Sequence, residues 1–429
     1  RLMQFVPYPV VSGFTAGIAV VIALLQLKDF FGLSVGSMPE HTPERVLLLA
    51  RSLPSLRWQE LLIGSLTLAV LVIWPKVTQK IPAPLVALTV GTATAYALAR
   101  SNLGFHVDTI ASRFTYVADG VTRAGIPRAL PLPILPWEIP GPSGQGLGLS
   151  LSLVRELSGP AFAIAMLGAI ESLLSAVVAD GMSGTRHDPD VELVAQGIGN
   201  LVVPFFGGFA ATGAIARTAT NIRYGGRSPI ASVVHSLFVL AAVLALAPLL
   251  GHLPMASLAA LLLVIAWNMS EARHVIHMVR IAPKSDVAVL ATCFGLTVVF
   301  DMVVSVTVGV MLAAILFMRR MAEVSDAKLV SAGGQYAGVE VPNGVTLYRI
   351  DGPLFFGAAQ KAMQTFGEIG RESKVVIFDV SNVPAIDATG IVNLESALLR
   401  LRSRNALALI VGAQPQPRTL IDGAELEKA

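Results

Sequence analysis

Between two long apolar segments the chain reads FFGGFAATGAIARTATN, residues 205–221, a glycine-rich stretch that carries one arginine. Small residues there permit close approach of other segments and backbone that is not yet helical. A helix beginning near Gly213 inside a bundle would leave its first N–H groups without intrahelical partners, presenting partial positive charge to an anion. Arg217 and Thr218 would add donors one turn further in. Arginine at membrane depth is costly, so Arg217 faces a partner or a wet cavity. The competing explanation is a small-residue packing motif, which accounts for the glycines and leaves Arg217 unexplained.

The composition places this stretch in a membrane. Of 429 residues 54% are hydrophobic and 14% charged, against about 25% charged in soluble domains. Mean hydropathy is +0.69, with apolar blocks filling residues 11–318 and an ordinary soluble composition after Arg319. The candidate spans are 11–27, 61–74, 85–98, 161–178, 191–206, 210–222, 230–250, 258–267, 287–300 and 302–318, about ten crossings. Several are short or broken by glycine and proline, as in helices that line a cavity. Short basic loops (Lys76 and Lys80; Arg223 and Arg227; Arg273, Arg280 and Lys284; Arg319 and Arg320) alternate with nearly uncharged turns, which puts the basic side, both chain ends and the tail in the cytoplasm. The net charge of +3 therefore reads as a topology signal, with no nucleic-acid partner. The single cysteine, Cys293, excludes a disulfide framework and a Cys-based metal site within the chain. The opening RLMQFV has no signal-peptide layout, and Arg1 reads as an internal residue of a longer protein.

Glu171, in LGAIESLLSAVVADG, is the sole carboxylate in the run 161–178. Ser175 lies one turn on, on the same face. A carboxylate and a hydroxyl at that spacing suit a proton site or part of a small-cation site; a structural pairing of Glu171 with a base such as Arg217 is the alternative. After Val345 strand-sized runs (VTLYRID, KVVIFDV, ALALIVG) alternate with helix-period segments (GAAQKAMQTFGEI, GIVNLESALLRLRSR), the pattern of a small α/β domain. Residues 1–324 are thus expected to form the transmembrane domain, 325–344 a linker and 345–429 the α/β domain.

The run ELVAQGIGNLVVPFFGGFAATGAIARTATN, with LGAIESLLSA, the opening PYPVVSGFTAGIA and FDVSNVPAIDATG in the tail, resembles the sulfate permease family of anion transporters, solute carrier family 26, with a C-terminal STAS domain. The resemblance implies a polytopic α-helical membrane protein, part of a core-and-gate fold of fourteen segments in two inverted repeats of seven, plus a cytoplasmic STAS domain. Aligned so, the chain starts at the fifth segment, the earlier half-helix that faces residues 205–221 precedes Arg1, and the STAS domain extends past Ala429. The implied substrate site is Thr212, Gly213, the backbone N–H groups of Ala214, Ile215 and Ala216, and Arg217; Glu171 and Ser175 fall where sodium-coupled members carry a carboxylate and a hydroxyl. The coupling ion is then a proton, with sodium as the alternative, and no cofactor or metal is required. Asp387 and Thr389 match a regulatory STAS loop whose Thr389 is either a phosphorylation site or the cap of a helix starting near Gly390.

Details such as MLGAIESLLSAVV, APLL, WNMSEA and GPLFF resemble, within the family, bacterial C4-dicarboxylate transporters; the family resemblance further implies an elevator-like mechanism, a homodimer at the bacterial inner membrane and a STAS domain that meets a cytoplasmic protein. Sulfate or bicarbonate transport fits the same residues. A membrane-anchored STAS regulatory protein is the reading from another class, but an anchor needs neither Glu171 nor Arg217 at membrane depth. No nucleophile–base pair and no G-x-x-x-x-G-K-[ST] occurs, which leaves an enzyme or an ATP-driven pump unsupported.

Overall fold

A computed structural model describes residues 7–424 other than 37, 40, 79, 102–103, 119–120, 140–145, 147, 149, 301, 325, 331–333, 337, 356–358, 360–365 and 367–372. The chain divides into two compact units, Arg1–Val310 and Met311–Ala429. The division falls within the helix Met302–Val324 and not at the expected linker.

The first unit is helical. Its elements are α1 (Tyr8–Phe31), α2 (Thr42–Ser52), α3 (Trp58–Val77), α4 (Ala83–Arg100), the short α5 (Ile110–Arg113), a hairpin of β1 (Thr115–Ala118) and β2 (Val121–Ala124), α6 (Leu151–Ser183), α7 (Pro189–Val202), α8 (Ile215–Arg223), α9 (Ile230–Leu250), α10 (Met255–Met269), α11 (Ala272–Ile281), α12 (Lys284–Val299) and the start of α13 (Met302–Val324). Each of the ten expected spans overlaps a helix. Among the described residues six segments are individually long and apolar enough to cross a bilayer: Tyr8–Phe31, Trp58–Val77, Leu151–Ser183, Ile230–Leu250, Met255–Ile281 and Val304–Met321. Apolar side chains including Val233, Leu237, Phe238 and Leu249 of α9 are exposed, an arrangement that water penalises and lipid does not.

Small residues set the close packing. α1 packs on α10 and α12, and α3 packs on α4 and α10. A Cβ on Gly13 would stand 2.6 Å from the Leu290 carbonyl oxygen and 2.9 Å from Cys293 Cβ; one on Gly17 would stand 2.6 Å from Thr297 Cβ. These two glycines, one turn apart on α1, let its backbone touch α12, as small-xxx-small motifs do in membranes. On the other side Gly91 leaves room for the 2.8 Å hydrogen bond between the buried hydroxyls of Thr67 and Ser257. Gly13→Val is expected to overpack the α1–α12 contact by about 1–3 kcal/mol, read as a lower Tm of the detergent-solubilised protein; an unchanged Tm would show that α12 moves aside freely.

The second unit carries a four-stranded sheet, order β3–β6–β7–β8, of β3 (Asp326–Val330), β6 (Val345–Asp351), β7 (Val375–Asn382) and β8 (Leu407–Val411). Between β3 and β6 lies the small ladder of β4 (Gln335–Tyr336) with β5 (Val339–Glu340). β6, β7 and β8 are parallel, and β3 is antiparallel to β6, with Asp326 opposite Asp351. The segment expected to be a linker therefore supplies an edge strand. A five-residue strand has too little periodicity to stand out, and its pairing with β6 is a long-range contact. Helices α14 (Ala388–Arg402) and α15 (Pro415–Gly423) complete the unit; most of GAAQKAMQTFGEI lies outside the described residues. The core is built on Tyr348, Phe366, Phe378, Val380, Leu394 and Leu398, with Phe366 and Phe378 stacked at 6.0 Å.

Candidate anion-binding site

α7 ends in a 3-10 turn, Val203–Phe206, and Gly207 closes it at φ 69°, a left-handed conformation that suits glycine. From Gly208 to Ala214 the backbone belongs to no helix, and α8 starts at Ile215 with Ala214 as its extended N-cap, φ −117° and ψ 112°. The start lies two residues beyond the expected Gly213, because the preceding residues are tied elsewhere. Thr212 Oγ1 donates to the Gly168 carbonyl of α6 at 2.6 Å. Gly213 lies against α6, where a Cβ would meet Ser172 Cα at 3.3 Å and Ser175 Cβ at 3.4 Å. Ala211 is held by α7: its N–H donates to Asn200 Oδ1 at 2.9 Å, and its carbonyl accepts from Asn200 Nδ2 at 3.0 Å and from Gln196 Nε2.

The first intrahelical bond of α8 runs from the Thr218 N–H to the Ala214 carbonyl at 2.9 Å. Ala214 offers no side-chain cap, so the N–H groups of Ile215, Ala216 and Arg217 are the open donors of this helix end. The donors implied by the family resemblance, Ala214, Ile215 and Ala216, share Ile215 and Ala216 with this set, and the N–H of the N-cap Ala214 likewise precedes the first intrahelical bond. Arg217 is exposed and, among the described residues, has no hydrogen-bond or ion-pair partner. The same holds for Glu171, which is half-buried on α6. The structural Glu171–Arg217 ion pair weighed from the sequence is therefore not formed.

Ser175 is buried and donates to Thr218 Oγ1 of α8 at 2.9 Å, which ties it to the half-helix. One residue after Glu171, the buried Ser172 donates to Glu192 Oε1 of α7 at 2.6 Å. Glu192, Gln196 and Asn200 escaped the sequence reading. Their signal is a polar stripe at four-residue spacing in ELVAQGIGN, on one face of an otherwise apolar helix, and all three reach the elements around the break. The arrangement presents a helix N-terminus and an unpaired guanidinium on α8 and a carboxylate on α6, which packs against α8, a set of groups suited to an anion and a coupled cation. Among the described residues no cluster of three or more His, Cys, Asp or Glu is placed to hold a metal.

In the second unit Asp387 is the N-cap of α14, accepting the Gly390 N–H at 2.7 Å. The cap is thus Asp387, with Thr389 inside the first turn, which corrects the capping role weighed for Thr389. A carboxylate two residues before the threonine reaches the N3 amide, as the N-cap position requires. Asp387→Ala is expected to cost about 1 kcal/mol, seen as earlier chemical unfolding of the tail by limited proteolysis in urea; an unshifted midpoint would deny the cap its role.

A sulfate permease family profile matches residues 1–293 and a STAS domain profile matches residues 336–429. The chain is 38% identical to the putative sulfate transporter YvdB of Bacillus subtilis, over 98% of this chain and 75% of that protein. It is 29% identical to the bicarbonate transporter BicA of Synechocystis, over 98% of this chain and 72% of that one. In fold it is similar to SLC26A9, with a TM-score of 0.82 at 19% identity, covering 100% of this chain and 69% of that structure. The transmembrane domain of a cyanobacterial BicA superposes with a TM-score of 0.55 at 25% identity, over 73% and 70% of the two chains.

Proposed function

This chain belongs to the sulfate permease family of anion transporters, as a multi-pass membrane protein with a C-terminal STAS domain, and from that premise we propose that it is a secondary active transporter of a small oxyanion of the sulfate or bicarbonate class. The observation that carries the reading is the break before α8, where the N–H groups of Ile215, Ala216 and Arg217 end a helix beside an unpartnered Arg217 side chain. Such a helix end holds an anion through backbone donors that no anion-specific side chain needs to supplement. Thr212 and Ser175 anchor the half-helix to α6, and Glu171 on that same helix carries the coupling ion, a proton, with sodium as the alternative. Transport then proceeds by movement of the site-bearing helices against the rest of the bundle, in a homodimer at the bacterial inner membrane with the STAS domain in the cytoplasm.

The choice of oxyanion rests on the names of the relatives, sulfate and bicarbonate transporters. The C4-dicarboxylates expected from sequence detail, succinate, fumarate and aspartate, form the competing substrate class. Uptake of labelled sulfate and of labelled bicarbonate into proteoliposomes, each challenged with unlabelled sulfate, bicarbonate and succinate, separates them. Competition by sulfate or bicarbonate in excess of succinate is expected; succinate as the sole effective competitor would overturn the oxyanion assignment and leave the site in place.

A further inference from the structure

We propose that Gln196 and Asn200 of α7 are positioning residues for anion binding, which keep the Ile215 N–H open by occupying the backbone carbonyl that would otherwise receive it. The inference rests on the reading of the break before α8 as the anion site.

In an α-helix the N–H of residue 215 bonds to the carbonyl of residue 211. Ala211 is therefore the acceptor that α8 would recruit if it grew backwards by one turn. A carbonyl oxygen has two lone pairs. Both are engaged here, one by Asn200 Nδ2 at 3.0 Å and the other by Gln196 Nε2, while Asn200 Oδ1 takes the Ala211 N–H at 2.9 Å. Asn200 thus forms a two-bond ring with one residue of backbone, and Gln196, one turn earlier on the same face, completes the acceptor. Backbone groups at membrane depth must be satisfied. Without these amides the cheapest partner for the Ala211 carbonyl is the Ile215 N–H, and that bond would close the donor the anion uses.

Two measurements on the reconstituted protein test this. In the first, Asn200→Ala and, separately, Gln196→Leu are assayed for uptake of labelled sulfate and labelled bicarbonate. KM is expected to rise at least tenfold with Vmax changed less than twofold. In the second, Ala214→Cys on a Cys293→Ala background is labelled with a sulfonate-bearing and a quaternary-ammonium methanethiosulfonate. The parent is expected to react faster with the anionic reagent, and adding Asn200→Ala is expected to cut that preference at least fivefold. A purely structural clamp would lower protein yield or Tm and leave both KM and reagent preference in the folded fraction unchanged, which overturns the proposal. A parent with no preference for the anionic reagent, together with an Arg217→Ala variant of unaltered KM, would instead remove the anion site itself and the inference with it. Should one variant fail to fold, the other carries the test, because each leaves one donor to Ala211 in place.

Discussion

Anion accumulation driven by a pH gradient is expected to vanish in Glu171→Gln, while exchange of labelled for unlabelled anion continues. The amide matches the carboxyl in size and keeps hydrogen-bonding capacity, so it removes titration with little change in shape. Coupled to one proton, a gradient of one pH unit is worth about 1.4 kcal/mol, or about tenfold accumulation; the variant should fall to the level of passive equilibration. Glu171 lies half-buried on α6 with no partner among the described residues, the state of a group free to take up and release a cation. Its neighbour Ser172 is bonded to Glu192 and Ser175 is bonded to Thr218, so the helix that carries Glu171 also holds α7 and α8. If accumulation in the variant still follows the pH gradient, Glu171 is not the proton site. If accumulation in the parent follows a sodium gradient and not a pH gradient, the coupling ion is sodium and the same residue is its ligand.

The second large effect is expected at Arg217. Arg217→Ala should raise KM between about 10-fold and 100-fold, as loss of a charge-assisted contact of about 1.5–3 kcal/mol implies. Arg217→Lys should recover part of it, since lysine restores the charge without the planar fork. The side chain projects from the first turn of α8, where the free N–H groups already favour an anion. In the proposed site guanidinium and helix end act on one ligand, and the loss should weaken with added salt only modestly if the anion is bound out of bulk solvent. Unchanged KM in Arg217→Ala would show that the backbone donors suffice and that the arginine serves another purpose.

Much of this architecture is legible in the residues because its causes are local. Apolar runs long enough to cross lipid give the helices, and the glycine-rich interruption before Arg217 gives the half-helix, since backbone at membrane depth tolerates such a break only where it lines a cavity or protein. The α/β tail shows in its alternating periods. The start of α8 was less legible. Ala214 and Gly213 have no side chain that marks a cap, and the register was fixed by Asn200 and Gln196, more than ten residues away in sequence. Likewise Asp387, not Thr389, caps α14, a difference of two residues that propensity alone does not resolve.

By itself the sequence determined the membrane class, the succession of helices, the soluble α/β domain and the placing of Glu171 and Arg217 on apolar segments, all consequences of hydropathy and period. Only the tertiary structure decided that Glu171 and Arg217 do not pair, that Ser175 serves Thr218, that residues 326–330 join the sheet, and that α7 holds the Ala211 carbonyl. Each of these is a contact between segments distant in the chain, and a donor finds its acceptor only after packing has brought the two helices together.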